Sequence, residues 1–299
     1  MHLSMHNWMR AEPIKVTIAR LAKYGYKSIE ISGEPEQFGL NGSKDTKKLL
    51  DDHGLKCWGS VTLMLGERNL VAADRGQRAK SVQYTKDCIT MVKELDGYEM
   101  TIVPATVGKI VADATPEEEW KWAVESMKEI YEHSEKAGVR LAIEPLNRFE
   151  TYFINRAEQA MALAEATGPN CGVCLDAFHI NIEEADLYEA IRSTKGRLTD
   201  FHVADNNRMP AGHGDYDWKK VISTLKSIGY DGALTAEFVA PIDRTPANHY
   251  KNALETNFEN VDISPEQLKF IIDHGSNVLT ESFYDWLVEE NAKHLLPLI

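Results

Sequence analysis

Four side chains able to hold a cation stand where short apolar runs end. Glu144 follows Val139–Ile143, Asp176 follows Gly172–Leu175, His202 sits near the end of Leu198–Val203, and Glu237 lies within Ala233–Phe238. Three carboxylates and one imidazole form a hard, mostly oxygen donor set. Such a set suits one divalent ion, Mn²⁺, Mg²⁺ or Co²⁺, rather than a thiolate-bound structural zinc. A single acid at the end of a strand often only caps the helix that follows. Four on consecutive runs would each need a separate explanation of that kind, so a shared cation site is the better reading. Further polar groups follow each of them: Asn147, Arg148 and Glu150; His179; then Asp205, Asn206, Asn207, Arg208, His213 and Asp215. Loops carrying both signs of charge suit a small, highly hydroxylated substrate. His179 and Arg208 read as functional because each lies a few residues beyond an expected ligand, whereas His213 and Asp215 read equally well as solvated loop residues.

The elements that would position these groups alternate regularly. Apolar runs at Leu3–Met5, Ser28–Ile31, Lys56–Leu63, Met100–Val103, Val139–Ile143, Gly172–Leu175, Leu198–Val203 and Ala233–Phe238 read as strands. Between them, amphipathic segments at Ile14–Tyr24, Lys44–His53, Gln77–Leu95, Pro116–Ala137, Arg156–Ala166, Ala185–Arg192 and Trp218–Ile228 read as helices, with a last one over Pro265–Asn291. Eight strand-plus-helix units predict an α/β fold, a (β/α)8 TIM barrel whose reactive groups gather at the C-terminal ends of the strands. Gly25, Gly54, Gly97, Gly138 and Gly229 stand where helices stop. Thr115-Pro116-Glu117-Glu118-Glu119 opens a helix with a capping hydroxyl, proline at the first position and acids against the dipole, and Ser264-Pro265-Glu266 repeats the pattern. No linker or low-complexity tract interrupts the chain, so residues 1–299 read as one domain. Its last part, 240–299, is expected to form a lid or loop over the barrel mouth (240–262) followed by a terminal helix.

Composition narrows the classes of function. The 299 residues carry 33 Lys+Arg against 46 Asp+Glu, a net charge of −13, which argues against nucleic acid as a partner. Hydrophobic residues at 43% describe an ordinary globular chain, and no apolar stretch reaches the length of a membrane span. The start, Met1-His2-Leu3-Ser4-Met5-His6, does not read as a signal peptide. Cys57, Cys88, Cys171 and Cys174 are irregularly spaced, as expected of a cytoplasmic protein. Cys171 and Cys174 lie three apart on a strand and therefore face opposite ways, so they read as structural rather than as a redox pair or half a zinc site.

Glu144-Pro145-Leu146-Asn147-Arg148, Leu175-Asp176-Ala177-Phe178-His179, Asp200-Phe201-His202-Val203-Ala204-Asp205 and Ala236-Glu237-Phe238 resemble the motifs of the xylose-isomerase-like barrel superfamily. The nearest branch is the ketose 3-epimerases and related sugar isomerases. The resemblance implies that Glu144, Asp176, His202 and Glu237 bind one divalent metal, commonly manganese, and that Glu150, His179 and Arg208 hold the carbonyl end of a keto-sugar. It also implies enolisation: the cation acts as a Lewis acid, one of Glu144 and Glu237 removes the α-proton, and the other returns it on the opposite face. His6 and Trp58, on early strands, are expected at the substrate as well, although His6-Asn7-Trp8, Trp58 and Pro104 differ from the substrate-end residues of free-ketose epimerases. The long tail, from Asp243-Arg244-Thr245-Pro246 to Leu295-Leu296-Pro297-Leu298-Ile299, is similar to that of the large subunit of bacterial C-glycoside deglycosidases. Those are lyases that act on a 3-oxo-glycoside together with a small β subunit. The resemblance therefore implies either a homo-oligomeric sugar epimerase or the catalytic subunit of a hetero-oligomeric lyase.

Overall fold

The computed structural model describes residues 1–10, 12–39, 42–240, 243, 245–250, 253 and 279–299. Eight parallel strands run in the order β1-β8-β7-β6-β5-β4-β3-β2. They are β1 (His2–Met5), β2 (Ser28–Ser32), β3 (Lys56–Val61), β4 (Glu99–Ile102), β5 (Arg140–Ile143), β6 (Gly172–Asp176), β7 (Leu198–Val203) and β8 (Ala233–Ala236). The sheet closes at the seam between β1 and β2 through a parallel bridge of His6 with Glu30 and a 2.9 Å bond from the Lys27 N–H to the Leu3 carbonyl. The expected (β/α)8 barrel is thus the observed fold.

Helices cover the outside. They are α1 (Ile14–Lys23), α2 (Pro35–Phe38), α3 (Ser43–His53), α4 (Arg75–Glu94), α5 (Pro116–Ala137), α6 (Ala157–Thr167), α7 (Ala177–Glu183), α8 (Leu187–Ser193), α9 (Trp218–Ser227) and α10 (Glu281–Leu295). The α5 cap forms as its sequence dictates: Thr115 Oγ1 accepts from the Glu118 N–H while the Glu118 carboxylate accepts from the Thr115 N–H. Two short helices, α2 and α7, add to the expected set, because one or two turns leave too little periodicity to read. The eighth helix starts at Leu187, two residues later than its apolar pattern suggests, because Asp186 accepts from the N–H groups of Tyr188 and Glu189. At the end of α4 the left-handed residue is Asp96 (φ 52°) rather than Gly97, which instead packs tightly against Val92 and Cys57.

The expected helix 265–291 departs from what is seen. Leu279 makes a bridge, Thr280 caps α10, and that helix then runs to Leu295; residues 265–278 lie outside the described residues, as does most of the expected lid at 240–262. The α10 helix locks onto the start of the barrel. Tyr26 hydroxyl donates to the Val288 carbonyl (3.1 Å), Asn291 Nδ2 donates to Tyr26 (3.0 Å), and the Arg20 guanidinium lies 4.9 Å over the Tyr284 ring. Among the described residues, no helix is long and apolar enough to cross a membrane.

Most buried apolar side chains lie between the sheet and the helices, in one cluster around Ile31, Phe201 and Leu287 and another around Ile102, Ile130 and Leu163. The barrel interior is different. Such barrels are usually filled by branched apolar residues. Here Glu30, Glu99, Asp200 and His202 are fully buried, with Thr101 donating to Glu99 and Thr235 to Asp200. Polar side chains therefore run from mid-barrel to the strand ends.

Candidate metal centre

The alternation of β6, β7 and β8 aims Asp176, His202 and Glu237 inward at the same end of the barrel. Asp176 pairs directly with His202 in the sheet register, and the Glu237 N–H continues the ladder to the Val203 carbonyl at 3.0 Å. Glu144 follows β5 in the same way, its N–H bonded to the Ile102 carbonyl. Potential ligand atoms of Glu144, Asp176, His202 and Glu237 all lie within 4.8 Å of one another, and all four residues are buried. His202 Nδ1 stands 2.8 Å from Glu237 Oε2 and 3.1 Å from Glu144 Oε1.

These residues fit a divalent cation. Asp176 uses Oδ1 to cap α7, accepting from the Phe178 N–H at 2.8 Å, and leaves Oδ2 buried with no hydrogen-bond partner among the described residues. Glu237 Oε2 likewise completes no aligned hydrogen bond there. Burial pushes the Asp176 carboxyl well above its usual range, and the nearby Glu237 adds to it. Burial also raises Glu144. Burial alone would raise Glu237 too, but His6 and His202 together hold it well below the usual range. Carboxylates this close and this dry repel one another, and a cation offsets that repulsion.

Beside the four stands a polar trio. Arg208 Nη1 donates to Glu150 Oε1 at 3.1 Å and Nη2 lies 3.6 Å from Glu237 Oε1, while its guanidinium sits 4.6 Å over the Phe178 ring. Arg208 holds a positive φ of 59°, a sparsely populated conformation for a non-glycine residue, fixed by its N–H to the Asp205 carbonyl and its own carbonyl to the Val239 N–H. His179 Nδ1 accepts from the Asn147 backbone N–H (3.3 Å) and faces Asn147 Nδ2 (2.8 Å), which leaves Nε2 to carry the proton of the neutral ring. Burial, reinforced by the Arg208 charge, lowers the His179 pKa to about 4, so the ring stays neutral near pH 7.

Glu144, Glu150, His179, Arg208 and Glu237 line one cleft. Its opposite wall is apolar: Trp8, Leu63, Met64, Leu65, Val103 and Val107. Apart from Trp8, that wall is not marked in the sequence, because a hydrophobic residue just past a strand looks no different from core.

The remaining expected site residues divide. His6 joins the cluster from below, with Nε2 3.2 Å from Glu30 and 3.7 Å from Glu237. Trp58 does not reach it, and its assignment to the substrate is corrected. It sits near the start of β3, with its ring 5.0 Å from His2 and 4.8 Å from Tyr98, at the opposite mouth of the barrel. From there to the end of the strand at Val61 is about 10 Å at roughly 3.3 Å per residue. The other loop polar groups have structural tasks. Asp205 accepts from Trp218 Nε1 and the Gly212 N–H (both 2.9 Å), Arg148 pairs with Glu183, and His213 packs on Trp286 of α10. Cys174 reaches His202 while Cys171 lies near Arg197, and all four cysteines are free and buried.

A family described as xylose isomerase-like TIM barrel matches residues 18–261. Among characterised relatives, the L-ribulose 3-epimerase of Mesorhizobium japonicum is 29% identical over 223 residues, covering 74% of each chain. The D-psicose 3-epimerase of Ruminiclostridium cellulolyticum is 30% identical over 234 residues, covering 75% of this chain and 77% of its own. Among solved structures, the D-psicose 3-epimerase of Clostridium cellulolyticum H10 with D-tagatose superposes with a TM-score of 0.81 at 23% identity, covering 100% of this chain and 99% of that one, which shows a shared fold. The C-glycoside deglycosidase reading of the tail finds no support in these relatives.

Proposed function

This chain belongs to the xylose isomerase-like TIM barrel family, and from that premise we propose that it is a divalent-metal-dependent sugar epimerase acting at the carbon beside the ketone of a keto-sugar. The observation that carries the reading is the approach of two carboxylates from different strands, Glu144 and Glu237, to one imidazole nitrogen at 3.1 and 2.8 Å, beside a cleft whose far end holds Arg208, His179 and Glu150. Glu144, Asp176, His202 and Glu237 would hold the cation. When bound, it would supply Lewis acidity that weakens the C–H bond next to the ketone.

The protein's own groups handle the proton. Glu237, held ionised by His6 and His202, is the carboxylate ready to take a proton at an oxygen. Glu144, pushed up by burial, is the one suited to hold and return it. Because they stand on separate strands, transfer from one and return by the other can proceed on opposite faces of a planar intermediate, which inverts the centre. Arg208 Nη2 and the His179 Nε2–H are donors available to negative charge developing on the sugar oxygens, with Glu150 and Asn147 fixing their orientation. The apolar wall excludes water that would otherwise scatter the abstracted proton.

Free ketopentoses and ketohexoses are the substrates to try first, on the strength of the relatives' activities. Mn²⁺ as the resident ion is supported by the hard donor set. A homo-oligomer is supported by exposed Ile110 and Val111, on a loop that the bridge between Lys109 and Thr151 joins to the loop carrying exposed Phe149. A reducing compartment fits four free, buried thiols. The test is to incubate the chelator-treated protein with such ketoses, with and without added Mn²⁺, and follow the 3-epimer by chromatography. Epimer formed only with metal supports the reading; no turnover of any ketose with metal present overturns it.

A further inference from the structure

We propose that Glu30 is a positioning residue for the metal centre, accepting the Nε2 proton of His202 so that Nδ1 of the same ring is left bare for the cation. The inference rests on the reading of Glu144, Asp176, His202 and Glu237 as ligands.

The geometry starts from which nitrogen faces where. His202 Nδ1 points up, to Glu144 and Glu237. Its Nε2 points down the barrel, 3.1 Å from Glu30 Oε2 and 3.7 Å from Asp200 Oδ2. An imidazole that ligates through one nitrogen must carry its proton on the other, and a carboxylate at that second nitrogen fixes the tautomer, orients the ring and raises its basicity. Glu30 is fully buried on β2, three strands from β7 across the closed seam, and its same oxygen also lies 3.2 Å from His6 Nε2. Neither oxygen of Glu30 nor His202 Nε2 completes an aligned hydrogen bond among the described residues. Asp200, by contrast, is occupied: it accepts from Thr235 Oγ1 at 2.8 Å and from the Phe201 N–H at 2.7 Å.

The alternative is that Glu30 merely fills the barrel. A buried carboxylate is a poor filler, since a branched apolar residue there would be at least as stabilising and would carry no desolvation cost. A further alternative places the ion lower, among Glu30, Asp200 and His202 Nε2, whose potential ligand atoms also lie within 4.8 Å of one another. That arrangement would leave Asp176 outside the coordination sphere.

The experiment separates these. In wild-type protein loaded with Mg²⁺, ¹⁵N NMR of labelled histidines should show His202 protonated on Nε2. Glu30→Met should weaken Mn²⁺ binding by calorimetry about 10- to 100-fold, the range for loss of such a partner, and mix the His202 tautomers. Glu30→Gln, which keeps an acceptor oxygen of the same reach, should restore most of both. An Nδ1-protonated His202 in the loaded wild type overturns the proposal, as does unchanged Mn²⁺ affinity in Glu30→Met. So does full Mn²⁺ affinity in Asp176→Asn beside its abolition in Glu30→Met, which would place the ion lower in the barrel. The wild-type spectrum decides the matter even if Glu30→Met does not fold, and epimerisation by the wild type is measured independently of all three.

Discussion

Replacing Asp176 by Asn should move stability in opposite directions with and without metal. Asn keeps the cap of α7, because its Oδ1 can accept from the Phe178 N–H as Asp does at 2.8 Å. What changes is Oδ2, which completes no hydrogen bond among the described residues, lies 3.5 Å from His179 Nε2, and belongs to a carboxyl that burial first, and then the Glu237 charge, hold well above its usual range. Relieving such a group is worth about 1–3 kcal/mol. With about 2.1 cal/mol/K of unfolding entropy per residue, a chain of 299 residues has about 0.6 kcal/mol/K, so apo Asp176→Asn should melt about 2–5 °C higher than the apo wild type. Metal acts the other way. At a hundredfold excess over Kd a ligand stabilises by about 2.7 kcal/mol, or about 4 °C here. The wild type should gain that rise on addition of Mn²⁺, and Asp176→Asn should lose most of it. Differential scanning calorimetry in chelator and in Mn²⁺ gives all four melting temperatures. An equal Mn²⁺-dependent rise in both proteins would refute the assignment of Asp176 as a ligand, and a lower apo melting temperature for the variant would refute the repulsion argument.

Other consequences are open to simpler assays. Arg208→Ala should lower kcat for ketose epimerisation about 100-fold, the usual cost of one donor to developing negative charge, with metal affinity measured separately to confirm the site is intact. Trp58→Phe should leave kcat and KM within about twofold, because the ring lies at the far mouth, about 10 Å from the end of its strand by strand rise; a large KM increase would contradict its placement against His2 and Tyr98. His179, with a folded pKa of about 4 against an ordinary 6.5, binds fewer protons folded than unfolded. Its contribution is therefore intact above pH 6.5 and is lost as pH falls toward 4, up to roughly 3 kcal/mol. Denaturant unfolding of the chelated protein at pH 7 and pH 4.5 should show a smaller acid loss in His179→Gln than in the wild type, and equal losses would remove His179 as the cause.

The barrel and the four proposed ligands were legible because the chemistry sits at an edge the sequence marks. Apolar runs stop at Ile143, Leu175 and Val203, and the polar residue beside each stop shares one level once the strands are parallel. The direction of a long run is harder to read: Lys56–Leu63 contains Trp58 near one end and Leu63 near the other, and alternation alone does not say that the cleft meets Leu63. Glu30, Glu99 and Asp200 escaped because a mid-strand acid ordinarily signals solvent, and only closure of the barrel shows that their shared face is the interior. By position Asp205 is a candidate site group, and His213 reads equally as a site group or a solvated loop residue. Their partners, Glu290, Trp286 and Trp218, come from α9 and α10, and no local spacing reveals contacts made that far along the chain.

The central claim is proton abstraction by a carboxylate of the metal centre, and exchange with solvent measures it directly. With a keto-sugar substrate, Mn²⁺ and D₂O, mass spectrometry should find one deuterium incorporated at the carbon beside the ketone by the wild type, and none after chelation or in Glu237→Gln. Epimerisation without deuterium uptake, or uptake that persists in chelator or in Glu237→Gln, would contradict the account.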